Sequence, residues 1–382
     1  MHVADHPSIA TEGVLRPTHV EVDLGALARN HQRIVEHVAP AVVMPILKAN
    51  AYGHGLVEVA RAFDRQGVGY LGVAYLEEGI LLRRAGVTAP ILVLGGIVGT
   101  QVPLFFDHDL TVTVPSIEKL HQVNEAAEAA RCRARVHLKV DTGMERIGTH
   151  WYNAERLLDE TLACPHVDVE GIYSHLANSD AADLTDARRQ LDRFGEVLAW
   201  YECRSVETPM RHVANSGAIL QVPEAHLDVV RPGILSFGIY PSTEVSRSIP
   251  VEPVLSWTTQ VVYFKVVEAG SPVSYGSTWR SDHPVRLVTI PVGYGDGYSR
   301  IMSDRAHVLI RGRRYPVVGR ICMDQSMVNI EWDTAYNGDQ VTLIGRDGDE
   351  AIGVDDLAEW MGTIPYEVLT NISARVPRVY VE

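Results

Sequence analysis

The chain is poor in cysteine: four in 382 residues, Cys132, Cys164, Cys203 and Cys322, far apart and without paired spacing. That excludes a disulfide-stapled scaffold and a cysteine metal knuckle, leaves no metal expected, and favours a reduced, cytoplasmic setting. Basic residues are in deficit, 34 against 48 acidic, for a formal net charge of −14. The acids are spread along the chain, so neither nucleic acid nor an anionic membrane is expected as a partner. No uninterrupted apolar run approaches bilayer-spanning length. Residues 1–17 hold two acids and two histidines without an apolar core, and read as a lead that is neither signal peptide nor anchor. Repeats and low-complexity segments are also missing. What the chain does have is apolar content, 46% of its residues, ample for a large core in two or three domains.

That content is organised in two textures. From about residue 20 to 240, short apolar runs alternate with amphipathic segments. The runs are His19–Leu24, Val42–Leu47, Gly69–Val73, Ile91–Leu94, Leu110–Val114, Ala134–Val140, Val167–Ser174, Met210–Ala214 and Leu227–Val230. Helical patterns such as Leu24–Val38, Leu56–Gln66, Tyr75–Ala85, Ser116–Ala130 and Asp183–Tyr201 separate them. This alternation predicts parallel βαβ units and an α/β fold, a (β/α)8 TIM-type barrel over residues 18–245. One run is surplus to eight strands. The first, over 18–24, is the outsider and is free to pack with the C-terminal domain. Beyond a linker around Tyr240–Val251, strand-like runs succeed one another without crossover helices, beginning with a long one over Val254–Val267. Residues 246–382 therefore read as a mostly antiparallel β domain, with short helices over Val354–Met361 and Pro365–Thr370.

The sharpest chemical signal is Val42-Val43-Met44-Pro45-Ile46-Leu47-Lys48-Ala49-Asn50-Ala51-Tyr52-Gly53-His54-Gly55. It puts Lys48 at the C-terminal mouth of a barrel strand, where such folds keep their chemistry. A desolvated lysine there, beside a phosphate-binding turn, suits a Schiff base with pyridoxal phosphate; the plainer reading is a strand-end lysine reaching solvent. Val229-Val230-Arg231-Pro232-Gly233-Ile234 and Asn215-Ser216-Gly217 come directly after the last two barrel strands. Loops in those two places form the phosphate site of many such barrels.

The lysine segment, Lys139-Val140-Asp141-Thr142-Gly143-Met144-Glu145-Arg146-Ile147-Gly148, Ser274-Tyr275-Gly276, Gly293-Tyr294-Gly295-Asp296-Gly297 and Ile321-Cys322-Met323-Asp324 together resemble bacterial alanine racemase, in the family's order and over nearly the whole chain. The resemblance implies pyridoxal 5'-phosphate as cofactor, Lys48 as its covalent anchor and as base on one face, and Tyr275, delivered by the partner subunit of a homodimer, as base on the other. Two bases suit racemisation, because the α-proton leaves one face and returns to the opposite one. A phenol with an ordinary pKa near 10 is a poor base at neutral pH, and His175 resembles its partner in the family. A structural histidine at a strand end is the alternative for His175.

Further roles come from the same resemblance. Arg231 matches the partner of the pyridine nitrogen; an arginine paired with Asp228 or Asp141 is the alternative. A guanidinium donates a hydrogen bond without passing a full proton, so the ring would be a weaker electron sink and stray protonation of the cofactor would be limited. Arg146 matches the group that steadies the phenolic oxygen and the substrate carboxylate. Lys139 matches a position carbamylated in many members, and an unmodified lysine paired with an acid competes with that. Tyr52, Asn215, Ser216, Gly233 and Ile234 are the implied cofactor contacts. Met323 and Asp324 are implied at the substrate carboxylate, and Tyr294 at the entrance. Two departures stand out: Ala374 occupies the place of a phosphate-contacting tyrosine, and Glu145 that of an uncharged residue.

The expectation is a cytoplasmic, homodimeric amino-acid racemase that interconverts L- and D-alanine for peptidoglycan. Rival readings are a racemase of broader preference (serine or basic amino acids), a decarboxylase of the same architecture, a non-catalytic carrier of the cofactor, and a barrel enzyme without it.

Overall fold

The computed structural model describes residues 15–382, so most of the expected lead falls outside the described residues. The chain forms two compact units. One spans Leu24–Val254; the other joins Leu255–Val381 to the segment before Leu24. Residues 246–254, expected in the β domain, fall in the first unit. Among the described residues no helix is long and apolar enough to cross a membrane.

After β1 (His19–Asp23), the first unit contains β2 (Val42–Val43), β3 (Leu71–Val73), β4 (Ile91–Val93), β5 (Thr111–Val114), β6 (Ala134–Asp141), β7 (Thr149–His150), β8 (Val167–Tyr173), β9 (Met210–His212) and β10 (Val229–Val230). Strands β3, β4, β5, β6, β8 and β9 are successive parallel neighbours, β10 pairs in parallel with β2, and β7 only flanks β6. Backbone bonds close the ring at the β2/β3 and β9/β10 gaps. Leu47 N–H donates to Gly72 O at 2.8 Å, and Arg231 N–H to Ala214 O at 2.9 Å. Eight strands thus make a complete barrel. Its connecting helices are amphipathic for the usual reason: Leu56–Arg65 buries Leu56, Val59, Ala60, Ala62 and Phe63 on one face.

The second unit holds β11 (Leu255–Gln260), β12 (Tyr263–Val267), β13 (Val285–Ile290), β14 (His307–Ile310), β15 (Arg313–Val318), β16 (Ser326–Asn329), β17 (Gln340–Asp347), β18 (Glu350–Ile352) and β19 (Arg378–Val381). The sheet order is β12-β13-β16-β15-β14-β17-β11-β1-β19, with β18 on β17, and every pairing but β1 with β19 is antiparallel. β1 is therefore a strand of this sheet and not of the barrel. The run Val254–Val267 is not one strand: it breaks at Val261 and Val262, whose N–H groups donate to Asp339 O and Thr289 O respectively. Val273, Val285, Leu287 and Val318 form one core, and Trp257 packs edge-on against Tyr298 at 5.8 Å in another place.

Candidate active site

The barrel interior is unusually polar. Alternation along β5 and β6 puts Thr111 and Thr113, then His137 and Lys139, on one face of each strand, and all four are buried. Tyr173, His212 and Arg231 join them from the later strands, also buried. Thr113 and Tyr173 hydroxyls meet at 2.9 Å. Gly171 makes room for this layer: a Cβ there would sit 2.5 Å from His137 Nδ1.

Arg231 organises the layer. Its Nη1 donates to His212 Nδ1 at 2.8 Å, and its Nη2 to the Ser174 and Val213 carbonyls at 2.7 and 3.2 Å, with His175 Nδ1 at 3.4 Å. Neither alternative carboxylate pairs with it. Asp228 is bidentate to Arg211, and Asp141 accepts from the Gly143, Met144 and Arg146 N–H groups, shaping that loop. Burial pulls the Arg231 pKa down to about 10, still fully protonated at neutral pH. Its Nε makes no hydrogen bond among the described residues, an available donor of the kind a pyridine nitrogen accepts.

Lys48 keeps solvent contact at the barrel mouth. The protein around its amine lowers its pKa, the Arg146 charge adds to that, and Glu78 opposes it. Before the helix Leu56–Arg65 begins, Ala49, Asn50, Ala51 and Tyr52 are all left-handed, with φ of 53°, 57°, 51° and 52°. For residues with a Cβ this costs about 1–2 kcal/mol each, so the turn must be held from outside. Asn50 Oδ1 accepts the Leu56 N–H at 2.8 Å, and Glu78 Oε1 accepts the Ala49 N–H at 2.7 Å.

The turn brings Tyr52 back over the loop after β10. A Cβ on Gly233 would lie 2.3 Å from the Tyr52 hydroxyl, so only glycine permits this approach. Ser216 Oγ accepts the Gly233 N–H at 2.9 Å and the Leu235 N–H at 3.4 Å, bringing Ser216, Gly233 and Ile234 together. Asn215 is nearby, but its oxygen is taken by the Ala218 N–H and the Ser179 hydroxyl, so it braces the loop.

His175 is neutral. Burial drives its pKa well below the ordinary value, and Arg231, Lys139, Arg146 and Lys48 all add to the effect. Lys139 is buried with its Nζ on Val140 O at 3.2 Å, and no acid pairs with it among the described residues. Burial and the Arg231 charge pull its pKa down to about 7. The Arg146 guanidinium is likewise without a hydrogen bond or ion pair among the described residues. Glu145 turns to His150 at 3.7 Å.

Tyr275, Tyr294, Met323 and Asp324 belong to the other unit. Tyr275 is 71% exposed and comes after Ser274, itself left-handed at φ 62°. Tyr294 and Gly295 N–H groups donate to the Cys322 and Met323 carbonyls at 3.0 and 2.9 Å, zipping two turns together. Beneath them Asp296, fully buried, accepts Arg16 Nη1 and Nη2 at 2.5 and 2.7 Å and Arg375 Nε at 2.7 Å; Arg375 Nη2 reaches Asp324 at 2.7 Å. Sequence reasoning missed this hub, and missed His212, His137 and Glu78. The alternation His137-x-Lys139 was the one available hint.

A closed parallel barrel with a lysine at its mouth, a close-packed phosphate-type cradle and a separate β unit defines the class of barrel enzymes that work through pyridoxal phosphate. Family models agree on the particulars: "Alanine racemase, N-terminal domain" matches residues 22–241 and "Alanine racemase, C-terminal domain" residues 254–380. The chain is 42% identical over 369 residues to the alanine racemase of Carboxydothermus hydrogenoformans, covering 96% of this chain and 100% of that one. It superposes on the alanine racemase of Bacillus anthracis with bound L-Ala-P at a TM-score of 0.91, with 36% identity and coverage of 97% and 96%. It matches the alanine racemase of Bartonella henselae with covalently bound pyridoxal phosphate at a TM-score of 0.87, with 28% identity and coverage of 96% and 99%. The chain belongs to the alanine racemase family.

Proposed function

We propose that this chain racemises alanine, and that Lys48, Tyr275, Arg146, His175 and Arg231 carry the reaction. The observation that carries the reading is Arg231: a buried, protonated guanidinium whose protein acceptors are all neutral, with its Nε left available. Pyridoxal phosphate, when bound, supplies the electron sink that acidifies the substrate's α-carbon. Lys48 would hold it covalently, and the lowered pKa of this amine suits it to take up and return a proton. Arg231 would donate to the ring nitrogen while keeping its own proton, so the sink it supports would be a tempered one. Tyr52, Ser216, Gly233 and Ile234 form the phosphate cradle, with Asn215 bracing it.

Tyr275 works from the opposite face and comes from a second copy of the chain, so that a homodimer with two composite sites is the active form. Neutral His175 is its hydrogen-bond partner. Lys139, carbamylated, becomes an anion that orients Arg146 toward the substrate carboxylate, which Met323 and Asp324 also receive; Tyr294 lines the entrance. The cell-wall role and the cytoplasmic setting are part of the same proposal, the latter supported by four free cysteines.

The test is a chiral assay of the purified protein with pyridoxal phosphate in deuterated water, offered L-alanine, L-serine and L-lysine separately. Fastest conversion of alanine to a racemate carrying deuterium at the α-carbon is the expected result. Faster turnover of serine would redirect the substrate assignment to the space left by Ala374. No racemisation of any of the three would overturn the two-base reading.

A further inference from the structure

The left-handed turn after Lys48 raises the question of what holds it. Within the turn, the Ala51, Gly53 and Gly55 N–H groups donate to Leu47, Ala49 and Asn50 carbonyls at 2.8, 3.1 and 2.9 Å. The Asn50 side chain ties the far end to the helix that begins at Leu56. At the near end, the Ala49 N–H leaves the turn and donates to Glu78 Oε1 at 2.7 Å.

Glu78 is well placed for that task. It sits in the first turn of the helix Leu76–Arg84, and its other oxygen accepts the Ala74 and Tyr75 N–H groups at 2.8 and 3.2 Å. Those bonds cap its own helix and fix the carboxylate against the end of β3. A cap alone needs one oxygen. The second leaves the helix and crosses to the lysine turn. One carboxylate therefore joins the mouths of adjacent strands, β2 and β3, and three N–H donors share it.

We propose that Glu78 is the positioning residue of Lys48: by holding the Ala49 N–H it keeps the left-handed turn formed and fixes the direction in which the lysine side chain leaves the barrel mouth. The inference rests on the reading of Lys48 as the cofactor's covalent anchor. The backbone of Ala49 has no glycine to relax into this conformation, so the turn reverts once the clasp is lost. The amine then swings away from the cradle made by Tyr52, Ser216 and Gly233.

Glu78→Gln separates this role from capping. Its amide oxygen can still accept from Ala74 and Tyr75, but its NH2 then faces the Ala49 N–H, donor against donor. The holoenzyme is mixed with hydroxylamine and the loss of its protein-bound visible band is monitored. Loss of a charge-assisted hydrogen bond predicts release about tenfold faster or more in Glu78→Gln, with a nearly unchanged melting temperature. Adding Ala49→Gly to Glu78→Gln should recover most of the difference, because glycine takes positive φ without strain. A structural cap would show no such recovery. Equal release rates in wild type and Glu78→Gln overturn the proposal.

Amide hydrogen exchange on wild-type holoenzyme needs no variant: a protected Ala49 N–H supports the clasp, and exchange at the solvent rate refutes it. Borohydride reduction and then peptide mass analysis keep the two readings apart. Cofactor fixed elsewhere than Lys48 defeats the site reading, whereas cofactor on Lys48 with indifferent Glu78 variants defeats only this inference.

Discussion

Arg231 donates to Nδ1 of His212 at 2.8 Å, and that contact decides the protonation of two rings. A guanidinium only donates, so His212 Nδ1 carries no proton and its Nε2 does. That Nε2 lies 2.8 Å from His137 Nδ1, which must therefore accept, leaving the proton of His137 on its buried Nε2, where it meets no partner among the described residues. Protonating either ring would set donor against donor beneath Arg231. The relay is thus locked neutral.

Buried neutral histidines make the protein acid-sensitive. Burial lowers His137 to about 3 and His31 to about 4, and His175 and His212 go well below 6.5. Below pH 6.5 the unfolded chain takes up protons at these rings while the folded one does not, so stability falls as pH drops from 6.5 toward 4. Each ring contributes up to about 1.4 kcal/mol per pH unit in that window. His31 offers a clean check, since its Nδ1 has no partner among the described residues and its ring packs edge-on against Phe63. Urea unfolding of His31→Leu across pH 4–7 should show a shallower slope by about one ring's share. An unchanged slope would mean that His31 titrates normally in the fold.

The carbamylation proposed for Lys139 is open to a direct test. With a pKa near 7, much of its amine is neutral at physiological pH and therefore nucleophilic. Addition of CO2 to the neutral amine gives a carbamate anion and releases one proton, turning repulsion of Arg146 into attraction. Enzyme equilibrated with 13C-bicarbonate should show a carbamate carbon signal that Lys139→Met lacks. The variant should lose about a hundredfold in turnover, as Arg146 is no longer oriented. A wild-type protein without the signal would leave Lys139 as a plain buried amine.

Much of the fold was legible because barrel strands are short apolar runs bounded by helices; β6 and the helix Ile117–Ala130 are examples. Other features depend on distant partners. Nothing in Gln260-Val261-Val262-Tyr263 marks a break, since valine suits a strand, and the break arises because the two N–H groups find partners on different strands. Nothing in Lys48-Ala49-Asn50-Ala51 marks a left-handed turn, and the Ala49 N–H within it finds its acceptor at Glu78, 29 positions away along the chain. The placement of Lys48, Arg231 and Gly233 at the barrel mouth was readable because each closely follows an apolar, strand-like run. The His212 relay was hidden, because it needs the register of β6, β8 and β9.

Asp296 ties residue 16 to the turn of Met323 and Asp324. Its carboxylate has no solvent exposure, and Arg16 and Arg375 hold its pKa below the usual carboxylate value against the burial that would raise it. Asp296→Asn removes the charge that both arginines face. Breaking a buried pair costs about 3–5 kcal/mol, and because both arginines keep solvent contact we expect about 2 kcal/mol here. Urea unfolding should register the loss, and the KM for alanine should rise more than kcat falls as the Met323 turn loosens. A neutral substitution would show that the arginines are satisfied by water alone.

Lys48 and Tyr275, if contributed by different copies, should complement one another. Lys48→Ala and Tyr275→Phe homodimers are each expected to be inactive. After subunit exchange, half the dimers are mixed. In a mixed dimer one site inherits both defects, and the other pairs the intact Lys48 of one chain with the intact Tyr275 of its partner. Random exchange of a two-fold dimer therefore predicts about a quarter of wild-type activity. Were both residues of a site supplied by one chain, each chain would carry its own defect into every dimer and mixing would restore nothing. The same experiment at rising dilution should lose activity in wild type and mixture alike, because a composite site cannot outlast the dimer that makes it.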